Sequence, residues 1–373
     1  MLKLPDGYGL PSIPSAIVYC EGNFGRIDGK TANGLVRHSE RFRILSVIDS
    51  RLAGRDAGTV LDGVANGIPI QTDLAEAMES NGARADLLIV GVAPASGRLT
   101  PVERVVLLEA IDAGLHLING LHEFLGDDPE FAAAAAARNV AIVDVRRPPD
   151  QRDLHMFSGG SATLPCRRIA VLGTDGAIGK RTTAVILNRA LNQRGIKSVM
   201  VGTGQTGLMQ GARHGIALDA IPCQFCSGEV EAALMEAYQA ERPDVIVIEG
   251  QGALSHPAYL SSASILRGSQ PQAVILQHAP MRSRLSDFPQ IAMPTPASEI
   301  RLIETFSPLT RVIGLCLNHE GMTEAEVTAA IALYEIELGI PVTDALTRSP
   351  QRLLDMVMRA FPELTPEAAA AAL

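Results

Sequence analysis

Short apolar runs rich in Val, Ile and Leu alternate with longer helical patterns along most of this chain. That alternation constrains it to α/β architecture, in which parallel strands are covered on both faces by helices. The first series of strand candidates is SAIVYC, RILSVID, DLLIVGV, HLINGL and VAIVDV, with helical stretches such as PVERVVLLEAIDAG and EFAAAAAARN between them. The alanine run at 132–137 reads as the small-residue face of a helix. A second series, RRIAVLG, KSVMVGTG, DVIVIEG, AVILQH and RVIGLCLN, repeats the pattern. Between the two series, VRRPPDQRDLHMFSGGSATLPCRR carries paired prolines, paired glycines and few apolar residues, which marks a boundary. The expected organisation is two parallel-sheet domains, 1–148 and 169–373, joined by a linker over 149–168. The closing TPEAAAAAL predicts a capped terminal helix without chemistry.

Composition narrows the class. With 373 residues, 47% of them hydrophobic and 20% charged, the chain has enough apolar material for two packed cores. A formal charge of -9 leaves no basic stripe to displace phosphate counterions, so nucleic acid is not an expected partner. No apolar run is long enough to span a bilayer. The opening MLKLPDGYGLPSIPSAIVYC is broken by prolines and lacks the basic and apolar regions of a secretory signal. Five cysteines, an odd number set mostly in apolar runs, suit a reducing cytoplasm, which is the expected location. Cys223 and Cys226 form a lone C-x-x-C with no second pair, short of a zinc site, and no metal site is expected. Their neighbours Ser227, Gly228 and Glu229 are expected to line a pocket. Two open sheets with a large apolar content make a homo-oligomer an expectation as well.

The stretch AVLGTDGAIGKRTTAV, Ala170 to Val185, joins a strand pattern to a helix pattern through a glycine-rich turn. Glycines there let backbone N–H groups converge, and a helix N-terminus adds positive potential, so the turn reads as a phosphate cradle. It departs from the usual G-x-x-x-x-G-K-[ST] loop: five residues separate Gly173 from Gly179, and Arg181 follows Lys180 where a magnesium-binding hydroxyl is usual. Thr182 and Thr183 are the hydroxyls left to replace it. The five-residue gap beginning Gly173, Thr174, Asp175, Gly176 resembles the loop of dethiobiotin synthetase and its relatives in the P-loop superfamily. The acidic end of a Walker-B-like strand is matched here by Glu249 in DVIVIEGQG. Three further loops leave strand C-terminal ends, where open α/β sheets bind ligands: GTGQTGLMQ with Gln205, HAPMRSRLSDFP with His278, Arg282 and Arg284, and LNHEG with Asn318.

In the first domain, YCEGNFGRIDGKTANGLVRHS lacks the G-x-G-x-x-G spacing of a dinucleotide turn, which leaves a nicotinamide cofactor poorly supported. It offers instead Asn23, Lys30, Thr31, Asn33 and Arg37, with Asp49 and Arg51 after the next strand and Arg98 in GVAPASGRL. Such groups suit a small dicarboxylate or amino acid, because guanidinium forks match carboxylates.

Taken in order, EGNFGRIDGKTANGLVR, VIDS, GVAPASGRL, LINGLHEFLGDDPE, VRRPP, GTDGAIGKRTTA, GTGQTG, IEGQGALSHPAY, GSQP and FP resemble a bacterial and archaeal family long described only as a domain of unknown function. The resemblance spans nearly all of 15–350. It implies an α/β protein with two parallel-sheet domains, a Rossmann-like N-terminal domain and a P-loop NTPase-like C-terminal domain. Members have been assigned as D-glutamate N-acetyltransferases, which implies acetyl-CoA as co-substrate and an acidic amino acid as acceptor. Coenzyme A carries a phosphorylated ADP, so a P-loop can hold it without cleaving a phosphoanhydride. The loop has Gly176 where the family often has cysteine and Arg181 where it often has methionine, which argues for direct transfer rather than an acetyl-cysteine at that position.

On this reading Gly173, Thr174, Asp175, Gly176, Gly179, Lys180, Arg181, Thr182, Thr183, Gln205 and Asn318 hold the coenzyme, and Asn23, Lys30, Arg37, Arg51, Arg98 and Arg282 hold the substrate. Asp49 or Glu249 takes the ammonium proton, since the amine must be neutral to attack. Two alternatives stand beside it: an ATP-dependent ligase or kinase, the one case in which Mg2+ is expected, and a non-catalytic nucleotide-binding protein.

Overall fold

A computed structural model describes residues 8–79, 84–94 and 96–364. The helix expected in the closing TPEAAAAAL lies outside the described residues. The chain divides into two compact units: Met1–Pro148 with Gln205–Ala212, and Pro149–Gly204 with Arg213–Leu373.

In the first unit the order is β1 (Ser15–Tyr19), α1 (Lys30–Arg37), β2 (Arg43–Ile48), α2 (Ala57–Asp62), β3 (Ile70–Gln71), α3 (Leu74–Glu79), β4 (Leu87–Val90), α4 (Pro101–Asp112), β5 (His116–Asn119), α5 (Pro129–Arg138) and β6 (Ile142–Asp144). All pairings are parallel and the sheet order is β3-β2-β1-β4-β5-β6, the doubly wound order of dinucleotide-binding folds. The five strands anticipated from apolar runs are present. β3, with two residues, is too short to leave a pattern. Helix starts follow local chemistry: at α4 the Thr100 side chain accepts from Glu103 N, the Glu103 side chain returns to the Thr100 backbone, and Pro101 sits in the first turn.

The second unit runs β7 (Arg167–Gly173), α6 (Lys180–Gln193), β8 (Ser198–Gly202), then, beyond the excursion to the first unit through α7 (Gln205–Gln210), β9 (His214–Gly215), α8 (Cys223–Glu241) and β10 (Val245–Glu249). It continues with α9 (Ser261–Ser269), β11 (Ala273–His278), α10 (Pro296–Phe306), β12 (Arg311–Leu317), α11 (Glu324–Leu338), β13 (Val342–Thr343) and α12 (Gln351–Ala360). The seven strands are parallel in the order β13-β12-β11-β7-β10-β8-β9. Side chains on β7 alternate between faces: Ile169 and Val171 join Leu187, Leu191 and Val357 on one side, while Ala170 and Leu172 join Leu234, Ile265 and Ile303 on the other. Both faces are buried, which is why these strands read as continuous apolar runs. Among the described residues no helix is long and apolar enough to cross a membrane.

The segment that opens the second unit is tied down by α8. Glu231 accepts from Ser158 N (2.7 Å), Ser158 Oγ (2.8 Å) and Ser161 N (3.1 Å). Glu229 accepts from His155 N at 2.6 Å, and a Cβ on Gly228 would lie 2.0 Å from the His155 carbonyl oxygen. Gly228 and Glu229, expected beside a ligand pocket, therefore fasten the linker instead. All five cysteines are free, Cys223 exposed and Cys226 packed in the core.

β7 and β11 are neighbours, and their ends are held by His278. Its Nδ1 lies 2.9 Å from Thr174 Oγ1 and its Nε2 3.2 Å from Tyr334 Oη on α11. Burial lowers its pKa from 6.5 to about 4.

Two outcomes follow from this packing. Leu187→Ala, at a fully buried position, is expected to destabilise the protein by about 2–5 kcal/mol, read from denaturant melts. Between pH 6.5 and about 4 the unfolded chain binds a proton at His278 that the folded chain refuses, so stability falls as pH drops through that window. The loss from this group is about 3 kcal/mol. His278→Gln is expected to flatten that part of a stability–pH curve, and an unchanged slope would contradict it.

Candidate functional site

Central position makes β7 the natural site of the phosphate loop. β7 ends at Gly173, where a Cβ would meet Ile178 Cδ1 at 2.9 Å and both the Gln277 carbonyl and Lys180 Cδ at 3.0 Å. Only glycine leaves room for the loop to curl back. Thr174 N then donates to Gln277 O (3.1 Å), anchoring the turn to β11. Ala177 takes a left-handed φ of 50° and Gly179 one of 104°. A non-glycine residue in that region is strained by roughly 1–2 kcal/mol, the kind of strain that gathers at ligand-binding turns. Lys180 begins α6 and its ammonium folds back onto the Asp175 carbonyl oxygen. The first N–H groups of a helix lack helical partners, so the start of α6 beside this lysine is chemically suited to an anion.

The rest of the loop is braced from outside. Asp175 is fully buried and accepts from Ser286 N (3.0 Å) and Arg282 Nη1 (3.3 Å). Arg282 also donates to the carbonyls of Gly176 (3.0 Å) and Ala177 (3.2 Å) and to Glu320 (2.7 Å). It is a strut of the loop, not a free carboxylate clamp. Thr183 Oγ1 donates to Gln277 Oε1 at 2.7 Å, so that hydroxyl belongs to the helix–strand contact. Asn318 Oδ1 accepts from Glu320 N (2.9 Å) and closes its own turn.

Glu249 ends β10, the strand beside β7, and its Oε2 accepts from Thr203 N (3.0 Å) and Gly204 N (3.4 Å). Burial pushes its carboxyl above the ordinary range, opposed by the Arg181 charge, those two N–H groups and the Lys180 charge. The candidate base thus accepts two backbone N–H bonds, and the Arg181 and Lys180 charges partly offset the effect of its burial. Asp49 is likewise engaged: it accepts from Phe24 N (3.0 Å) and Arg51 N (3.1 Å) and shapes the turn after β1.

A histidine beyond the sequence candidates belongs to this region. His256, in the loop after β10, stacks on Tyr259 (4.3 Å between ring centres) and meets Phe288 edge-on. Its Nδ1 accepts from Ala258 N (3.2 Å) and Tyr259 N (3.3 Å), which places the proton of the neutral ring on Nε2, a buried atom without a hydrogen-bond partner in the described structure. Burial lowers its pKa, and Asp175, Asp287 and Lys180 are its charged neighbours. Only its place in IEGQGALSHPAY could have flagged it.

In the first unit, groups converge at the C-terminal ends of β1, β4, β5 and β6. Lys30 opens α1, His122 follows β5 with its backbone N donating to Gly97 O (2.9 Å), and buried Arg146 follows β6 with Nε donating to Gly120 O (2.7 Å). Burial brings the Arg146 guanidinium down to about 10. His122 is lowered by burial and then by the Arg146 and Lys30 charges, so two cations share a neighbourhood with an imidazole whose neutral form they favour. α7 packs beside them: Thr206 Oγ1 and Thr31 Oγ1 are 2.8 Å apart, and Gln210 Nε2 donates to the carbonyls of Gly34 and His38. Gln205 on this helix lies over Gly120 and is counted with the first unit.

Other expected substrate residues are elsewhere engaged. Arg37 makes a fork with Asp62 (2.7–3.0 Å), Asn23 Nδ2 donates to Glu21 O (2.9 Å), Arg51 packs on Gly22, and Arg98 is exposed. Lys30 alone of that group belongs to this neighbourhood, while His122 and Arg146 escaped notice because they sit on different strand ends far apart in sequence.

Comparison with known proteins agrees with both halves. A P-loop domain model of the DUF1611 family matches residues 155–354, and its companion Rossmann-like domain model, also described as of unknown function, matches 50–148. A protein of Tritonibacter scottomollicae named D-glutamate N-acetyltransferase is 32% identical over 283 residues, covering 74% of this chain and 82% of that one. A Pseudoalteromonas protein of the same name is 27% identical over 288 residues, covering 75% and 84%. The crystal structure of a DUF1611 family protein from Anabaena variabilis superposes with a TM-score of 0.86 at 34% identity, covering 93% of this chain and 99% of that chain. With both domain models matched in order and the whole fold shared, this chain belongs to the DUF1611 family.

Proposed function

We propose that this protein is an acyltransferase that moves the acetyl group of acetyl-CoA to the amine of D-glutamate. The observation that carries this reading is the 32% identity over 283 residues with a protein named D-glutamate N-acetyltransferase. The local chemistry agrees with it. A glycine-rich loop with a buried lysine at the start of a helix suits the phosphates of a coenzyme. The Lys30, His122 and Arg146 neighbourhood suits an acceptor with two carboxylates.

In the reaction the neutral amine attacks the thioester carbonyl carbon, the C–N bond forms, the C–S bond breaks and the thiol leaves with a proton. The carbonyl oxygen gains negative charge in between, and donors preorganised toward it lower the barrier. The test is direct incubation with D-glutamate and acetyl-CoA, with thiol release and product followed together. N-acetyl-D-glutamate formed in step with free thiol is the expected result; thiol release no faster with D-glutamate than without it would defeat the reading.

Variants separate the two binding tasks. Lys180→Ala is expected to raise the KM for acetyl-CoA by about tenfold to a hundredfold, the worth of a charge-assisted contact to phosphate, with little change for D-glutamate. Lys30→Ala is expected to do the reverse, raising the KM for D-glutamate by about tenfold and leaving that for acetyl-CoA in place. Equal effects of each variant on both constants would count against the division of labour.

A further inference from the structure

The turn that follows β10 is fastened from several sides, and what it holds is an imidazole. Glu299, buried on α10, accepts from Leu254 N (2.6 Å), Ser255 N (3.2 Å) and Ser255 Oγ (2.6 Å). His256 N donates to Ala253 O at 3.3 Å and closes the turn. The His256 ring lies nearly parallel to that of Tyr259, with 12° between their planes, meets Phe288 edge-on at 5.6 Å, and is only 7% exposed. Its Nδ1 is occupied by the Ala258 and Tyr259 N–H groups, so the neutral ring carries its proton on Nε2. That buried N–H meets no acceptor among the described residues. Native proteins rarely leave such a donor unmade, because it has given up water and gained nothing in return. Stacked, edge-packed and bonded at Nδ1, the ring is fixed in place, and its acceptor must come to it.

One short segment ties that donor to the phosphate loop. Ser286 N donates to Asp175 Oδ2 (3.0 Å), and Ser286 Oγ is 3.6 Å from where a Cβ on Gly176 would stand. Asp287 accepts from Tyr259 Oη (2.7 Å), whose ring is the one on which His256 stacks, and Phe288 touches His256 itself. Three consecutive residues therefore bridge the loop after β7 and the turn after β10, and those two strands are neighbours in the sheet. We infer that His256 Nε2–H donates to a phosphate oxygen of the ligand held in the cradle, adding a directed hydrogen bond to the charge of Lys180 and the N–H groups that open α6. A ring already immobilised loses little freedom when it makes that bond, which is what preorganisation of a binding site requires.

This inference rests on the reading that the cradle takes a phosphate-bearing donor, but its test needs no acetyl transfer. Inorganic pyrophosphate and coenzyme A are each titrated into the full-length protein carrying nitrogen-15-labelled histidine, with affinity read by calorimetry and the imidazole N–H resonances by NMR. The resonance that disappears in a His256 variant is expected to move downfield as either ligand saturates the wild type, the mark of a new bond to an anionic acceptor. His256→Phe, which keeps the ring and its stacking but not the donor, is expected to bind both ligands about tenfold more weakly. His256→Gln, which offers a side-chain N–H in its place, is expected to recover most of that loss. Should His256→Phe fail to fold, His256→Gln assigns the resonance and the wild-type titration decides. A His256 resonance that stays put while either ligand binds overturns the inference, as do His256→Phe affinities equal to wild type, equal losses in both variants, or binding of neither ligand by the wild type. Acetyl transfer with a His256 resonance indifferent to coenzyme would sink this inference alone, and a resonance that moves with both ligands in a protein that transfers no acetyl group would sink the proposed function alone.

Discussion

Asp175 has no exposed surface, and a carboxylate so placed must have its oxygens satisfied from within the protein. Ser286 N and Arg282 donate to its Oδ2 and Ser286 Oγ, at 3.5 Å, to its Oδ1, and Arg282 in turn grips the carbonyls of Gly176 and Ala177. The strained turn at Ala177 and the lysine folded onto the Asp175 carbonyl both hang from that arrangement. A residue chosen from sequence as a ligand contact is therefore better understood as the peg around which the cradle is wound. Arg282 has the same standing, since a cation bonded to two carbonyls and two carboxylates is positioned for rigidity and not for capture.

The same principle separates the legible from the illegible. The ten apolar runs were readable because both faces of a parallel strand are buried, so each run carries its own signal. The phosphate loop was readable because its glycines, lysine and flanking strand and helix are contiguous. The partner of Arg37, Asp62, lies a whole β-strand and helix away, and nothing in YCEGNFGRIDGKTANGLVRHS announces that pairing. Nothing in GTGQTGLMQ announces that α7 is counted with the first unit, where Thr206 meets Thr31. His122 and Arg146 could not be grouped before the sheet order set their strand ends side by side. β3, β9 and β13 have two residues each, below any periodicity.

The chain as a whole is acidic, with a net charge of -9, yet its two candidate sites are locally cationic. Lys180 and Arg181 stand at one, Lys30 and Arg146 at the other. Local positive charge within an acidic protein favours small anions over polyanionic polymers, because a polymer meets the surrounding field and a small ligand meets only the pocket. Coenzyme phosphates and an amino acid with two carboxylates are anions of that kind.

The central claim is that the loop at Gly173 binds a phosphate-bearing donor without breaking any phosphate bond. A single turnover with D-glutamate, acetyl-CoA and Mg-ATP present together, followed by phosphorus-31 NMR alongside thiol titration, tests it most directly. The account predicts that thiol appears in step with N-acetyl-D-glutamate while every phosphorus resonance of coenzyme and nucleotide stays unchanged. Growth of ADP or inorganic phosphate resonances in proportion to product would contradict it.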